Sequence, residues 1–111
     1  MENRRQQKIA KVLKQDLAVL FQRESRTMFN GAFITVTSVR VTADLSYAKV
    51  HLSIMGKNDE NILETVKTKS VEIRTIIAKQ VRHQMRKVPN FQFYIDDSLD
   101  YYEQIDELLK K

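Results

Sequence analysis

Few side chains in this sequence are spaced for catalysis. The two histidines, His51 and His83, have no sequence-local Asp, Glu or His partner at metal-ligand spacing. His51 reads as an exposed strand residue and His83 as a helix-surface residue within a basic run. Asp96 and Asp97 are adjacent carboxylates, yet neighbouring strand residues point to opposite faces. A helix cap beside a solvated side chain accounts for them better than an acid–base pair. The serines lack the glycines of a nucleophile elbow, and a chain with two glycines has no phosphate-cradling loop. Zero cysteines exclude disulfide scaffolds, thiolate nucleophiles and thiolate metal sites. The expectation is a protein that is not an enzyme and uses no metal and no cofactor.

The basic residues carry a clearer signal. The 111-residue chain has a net charge of +5, unevenly distributed. Residues 1–90 hold 17 basic and 8 acidic side chains, a net of +9, whereas residues 91–111 hold 2 and 6, a net of −4. Between Lys67 and Lys87 stand Lys67, Lys69, Arg74, Lys79, Arg82, Arg86 and Lys87, with Glu72 the sole acid. On a helix, Lys79, Arg82 and Arg86 would share a face with His83 beside them. Arg4, Arg5, Lys8, Lys11 and Lys14 make the opening segment basic as well. Lys and Arg along a phosphate backbone release counterions and so supply affinity without reading sequence. Long basic side chains can also merely solubilise a helix by lying over apolar neighbours. The near-exclusion of acids from this one segment favours a polyanion, and nucleic acid first among them.

The elements that must position these charges follow from periodicity. Ile9, Val12, Leu13, Leu17, Leu20 and Phe21 recur at helical spacing, predicting an amphipathic helix from Arg4 to about Glu24. A loop is expected over Ser25–Gly31, with Asn30-Gly31 as its turn and Met28 and Phe29 folded back on the core. The β-branched run Phe33–Thr42 predicts a strand. Its parity is mixed, Ile34 and Val36 against Val39 and Val41, which calls for a bulge near Ser38 or burial of both faces. Ala43-Asp44 would turn the chain into a second strand, Leu45–Met55. There Ala48, Val50, Leu52 and Ile54 are the buried face and Tyr47, Lys49, His51 and Ser53 the open one.

Gly56–Asp59 ends that strand, and Asn58 or Asp59 can cap the next helix. Two apolar stripes follow, Ile62-Leu63-Val66 and Ile73-Ile76-Ile77-Val81-Met85, running to about Lys87. One unbroken helix of about 30 residues is long for so small a domain, so a kink is expected near Lys69-Ser70-Val71. Val88-Pro89 stops the helix. Phe91, Phe93 and Ile95 then mark a third strand, and a short helical segment over 98–111 closes the chain, capped by Asp97 or Ser98. The whole of 1–111 reads as one α+β domain of order α-β-β-α-α-β, a three-stranded sheet covered by helices.

That order is the arrangement of the type-II KH domain, an RNA-binding fold that usually clamps the nucleic-acid backbone with a GxxG loop. Gly31 and Gly56 are the only glycines, so GxxG is absent here. Thr42-Ala43-Asp44-Leu45-Ser46-Tyr47-Ala48-Lys49-Val50 resembles the S-x-D-L-s-y-A-k-V strand signature of the bacterial ribosome-binding factor A family. Val88-Pro89-Asn90-Phe91-Gln92-Phe93, followed by Asp96-Asp97-Ser98, resembles that family's V-P-x-L-x-F-x-x-D-x-S ending. The basic opening helix, Ile73-Arg74 and Ile105…Leu108-Leu109 fall in register, so the resemblance covers essentially the whole chain.

The resemblance implies a non-catalytic assembly factor. Such a protein binds the small ribosomal subunit and its precursor rRNA, supports processing of the rRNA 5′ end, aids growth in the cold and leaves the mature subunit. The lack of an apolar run long enough to span a membrane adds the expectation of a small cytoplasmic domain. The family together with the lack of a coiled-coil seam implies a monomer, and no membrane and no small-molecule substrate are expected. Where the family commonly has an Ala-x-Gly kink, this chain has Lys69-Ser70-Val71, and a short insertion is expected around His83-Gln84. Asp44, Ala48, Val50 and Pro89 are read as residues that make the fold: Asp44 brackets the hairpin turn, Ala48 allows close helix–sheet packing, Val50 is core and Pro89 sets the third strand. The twelve Lys and Arg residues named above are the candidate rRNA contacts. A general RNA-binding module or a protein-interaction adaptor, the latter using the acidic terminal helix or the exposed sheet face of Tyr47, His51 and Tyr94, is the alternative.

Overall fold

The structure is a computed structural model that describes residues 3–55 and 59–96. The expected closing segment 98–111 and the caps at Asn58, Asp59, Asp97 and Ser98 lie outside the described residues or side chains.

The chain opens with helix α1 (Arg4–Arg23). Asn3 and Gln6 start it with a reciprocal capping box: the Asn3 side chain accepts from the Gln6 amide at 2.8 Å, and the Gln6 side-chain oxygen accepts from the Asn3 amide at 2.9 Å. Leu13, Leu17, Leu20 and Phe21 form its fully buried stripe. Part of the expected loop 25–31 is instead a helical turn, α2 (Ser25–Met28), because Glu24 and Ser25 accept from the Met28 and Phe29 amides. Phe29 does fold inward, its ring 5.2 Å from that of Phe21. Asn30 and Gly31 carry the left-handed backbone of the turn, with φ of 54° and 77°.

β1 (Phe33–Val41) and β2 (Tyr47–Met55) form the expected antiparallel hairpin. The register shifts between Val36 and Ser38, leaving Thr37 as the extra residue. That bulge reconciles the mixed parity, since Ile34, Val36, Val39 and Val41 are all buried on one face. β3 (Asn90–Ile95) joins the other side of β2 in parallel, giving a mixed sheet of order β1-β2-β3. A parallel neighbour needs a crossover, supplied here by α3 (Asp59–Thr68) and α4 (Ser70–Val81). The helices pack on the face that carries Ala48, Val50 and Leu52, all fully buried. Phe93 meets Phe21 edge-on at 6.2 Å, so α1 and β3 share one core.

The predicted interruption falls at Lys69, whose backbone leaves the helical region (φ −92°, ψ 12°) without glycine or proline. Thr65 and Thr68 each donate their hydroxyl to the carbonyl four residues back, Asn61 and Glu64, at 3.0 and 2.9 Å. Such back-bonding bends helices and supplies the kink by another route. One expectation needs correction: the helix does not run to Lys87. It ends at Val81, where the Gln84 and Met85 amides both donate to the Val81 carbonyl and wind the chain through a turn. Arg82 is therefore the last half-helical residue, and Arg86 lies on the loop leading to Pro89. His83 and Gln84, where an insertion is expected, lie in this turn.

Candidate nucleic-acid interface

The sequence supplies cations, and three elements decide where they gather. The first is the start of α1, which presents Arg5 and Lys8. The second is the hairpin tip: Asp44 Oδ1 accepts from the Ser46 amide, the Ser46 hydroxyl and the Thr42 hydroxyl at 3.1, 2.7 and 2.8 Å. These hydrogen bonds, from Ser46 first and then Thr42, hold the Asp44 carboxyl down to about 2. Leu45 takes a left-handed φ of 62° inside this turn. The third is the loop after α4, held by Arg74. Its guanidinium donates twice to the Val88 carbonyl, from Nε at 3.1 Å and Nη2 at 2.9 Å. Val88 and Pro89 are thereby buried and β3 is set in place, its first amide, Asn90, donating to Ser46 of the hairpin tip at 2.9 Å.

Two shallow grooves result, and they share Arg86 and Lys87. One, about 530 Å³, runs between Arg5 and Lys8 of α1, Asp44 and Leu45 of the hairpin tip, and the 84–87 loop. The other, about 430 Å³, runs along α4 past Arg74, Lys79 and Arg82 to Val88. Arg5, Lys8, Lys79, Arg82, Arg86 and Lys87 are all exposed. Among the described residues none of these six forms an ion pair. The loss of helix after Val81 does not scatter the basic cluster. The turn places Arg86 and Lys87 in the lining of both grooves, so that the two meet at this loop.

Other candidates fall elsewhere. Arg4, Lys11 and Lys14 are exposed on α1 but line neither groove. Lys67 faces Glu64 at 3.9 Å and, with Ser70, borders a small recess along β3. Lys69 is half-buried at the kink. Arg74 is committed to Val88. Ala48, Val50 and Pro89 are fully buried. Sequence reasoning missed Gln6, which is 6% exposed and donates Nε2 to the Val41 carbonyl at 2.8 Å, tying the start of α1 to the end of β1. The spacing Asn3-x-x-Gln6 was the available signal, since a Gln at that position closes a capping box. A recess of about 690 Å³ lies at the far end of α1, between α2 and the β1 edge, away from the basic cluster. No group of three His, Cys, Asp or Glu able to hold a metal occurs among the described residues, and no described helix is long and apolar enough to cross a membrane.

A mixed three-stranded sheet, helices on one face and a cationic groove system at the hairpin end define a small α+β protein that presents a positive surface. The ribosome-binding factor A family model matches residues 5–109. A ribosome-binding factor A from Cytophaga hutchinsonii is 42% identical over 112 residues, covering 100% of this chain and 84% of that protein. One from Flavobacterium psychrophilum is 44% identical over 111 residues, 98% and 85% of the two chains. The crystal structure of ribosome-binding factor A from Thermus thermophilus superposes with a TM-score of 0.68 at 22% identity, covering 81% of this chain and 94% of that one. A second set of Thermus coordinates, a homology model of the factor fitted into a cryo-EM map of a 30S complex, gives a TM-score of 0.53 at 21% identity over 73% and 96%. The chain belongs to the ribosome-binding factor A family.

Proposed function

We propose that this protein is a non-catalytic assembly factor that binds the small ribosomal subunit and its precursor rRNA through the joined basic grooves. The observation that carries this reading is the convergence of Arg5, Lys8, Lys79, Arg82, Arg86 and Lys87, from three separate elements, on one surface without described ion pairs. Cations with no ion pair among the described residues are available to phosphate, and each phosphate met releases condensed counterions. Family membership and the 30S complex of the Thermus relative support the same partner. The absence of GxxG from the sequence removes the usual single-strand clamp, so docking on folded rRNA suits this surface better. In this reading the protein acts as a cytoplasmic monomer, supports maturation of the rRNA 5′ end and leaves the mature subunit.

Sucrose-gradient fractionation tests it. The protein is expected to co-sediment with free small subunits at moderate salt and to leave them as salt rises. Failure to co-sediment at any salt overturns the proposal.

A further inference from the structure

The sheet has a second face, which the described helices leave open and the two basic grooves do not use. Along its centre the cross-strand partners are Arg40 with Lys49, Lys49 with Gln92, and His51 with Tyr94. The His51 and Tyr94 rings stack with centroids 5.4 Å apart and planes 28° from parallel. Ser38 Oγ lies 3.3 Å from His51 Nδ1, and the Tyr94 hydroxyl donates to Gln92 Oε1 at 3.2 Å. Tyr47, two residues before Lys49 on the same face, is 44% exposed, and Tyr94 is 41% exposed. Asp96, just beyond the end of β3, accepts from the Thr37 hydroxyl at 2.6 Å.

We propose that this outer face is a stacking platform for unpaired RNA bases, built on the His51–Tyr94 pair and Tyr47 with Arg40 and Lys49 as phosphate partners. The proposal rests on the reading of the protein as an rRNA binder and adds a second, differently built contact. Polar aromatic rings interleaved with cations on an open sheet are what single strands recognise: bases stack on the rings and the backbone tracks the charge. The spacing suits it. Residues two apart on a strand stand about 7 Å from one another, so Lys49 lies midway between Tyr47 and His51 and can hold a phosphate between two stacked bases. Among the described residues β3 is an edge strand, with no further described strand beyond Tyr94. Charge complementarity and stacking together favour RNA as the occupant, because a polyanion that also carries planar bases meets both Arg40 and Lys49 and the exposed rings.

The test uses the full chain and a short fluorescein-labelled oligouridylate, read by fluorescence anisotropy at low salt, beside small-subunit co-sedimentation. Tyr94→Ala and His51→Ala/Tyr94→Ala are expected to weaken oligouridylate binding roughly tenfold or more, whereas Tyr94→Phe retains most of it. Lys49→Glu, an exposed charge reversal, supplies a second variant if the alanine double loses its thermal melt. Unchanged binding by both the double variant and Lys49→Glu overturns the platform. A wild-type protein that co-sediments with small subunits yet ignores oligouridylate also overturns it, assigning the face to another partner while leaving the assembly reading intact. Tyr94-dependent oligouridylate binding without co-sedimentation supports the platform and refutes the assembly reading instead.

Discussion

Replacing Arg82 and Arg86 together by alanine gives the sharpest test of the joined grooves. Both side chains are exposed, both lie beyond the last full turn of α4, and neither has an ion pair among the described residues. Their removal should therefore cost the fold little and act on binding alone. Each phosphate contact contributes about 0.7–0.9 to the slope of log affinity against log salt. If the six groove cations each meet one phosphate, the wild-type slope is about −4 to −5, and the double variant flattens it by about 1.4–1.8. At about 0.1 M salt this corresponds to a loss of roughly 25- to 60-fold, shrinking toward nothing as salt approaches about 1 M. Filter binding to purified immature small subunits over a salt series reads both numbers. Parallel lines, with affinity lowered equally at every salt, would show that the arginines do not meet phosphate. An unchanged affinity would move the surface away from this loop, with Arg4, Lys11 and Lys14 on α1 the next to test.

Three further outcomes concern the supports of the grooves. Arg74→Met leaves the Val88 carbonyl without its two guanidinium donors and should cost about 1.5–3 kcal/mol in urea unfolding; Arg74→Lys, lacking the forked geometry, should recover only part. Gln6→Ala removes both its bond to Val41 and its half of the capping box, and an expected loss of about 1–3 kcal/mol by the same measurement would fall to near zero if the tie were idle. Asp44 has its folded pKa depressed to about 2 by Ser46 and Thr42, below the unfolded value of about 4. Its contribution is thus present above that unfolded value and lost as pH falls toward 2. The melting-temperature gap between wild type and Asp44→Ala should accordingly be full at neutral pH and narrow below about pH 4; a gap independent of pH would contradict the assignment.

Much of this molecule was legible in the sequence because its signals are local. The clash of parity between Val36 and Val39 announced the bulge that Thr37 makes, and excessive length announced the break at Lys69. The end of α4 was not legible, since Met85 continues the apolar stripe and the turn reuses the Val81 carbonyl in a helix-like way. Periodicity cannot distinguish a last turn of helix from a turn that imitates one. Arg74 illustrates the other limit: composition counts it among the phosphate-seeking cations, while its partner is a backbone carbonyl 14 residues away. Gln6 and Val41 are 35 residues apart. Such ties are invisible to any window of sequence, and they decide which of the described cations are committed to the fold.

Those same two ties carry a thermodynamic consequence. Gln6 fixes the start of α1 against the hairpin end, and Arg74 fixes the chain just beyond Lys87. The backbone that bears the six cations is therefore already anchored on both flanks before any partner arrives. Ordering a loop or a side chain on association consumes free energy that never appears as affinity. A framework anchored in advance leaves only the long side chains to settle, so weak individual phosphate contacts can accumulate into useful affinity. Reversibility comes with the same design: contacts that are each weak and screened by salt can be lost one at a time, which lets a tightly guided protein still depart.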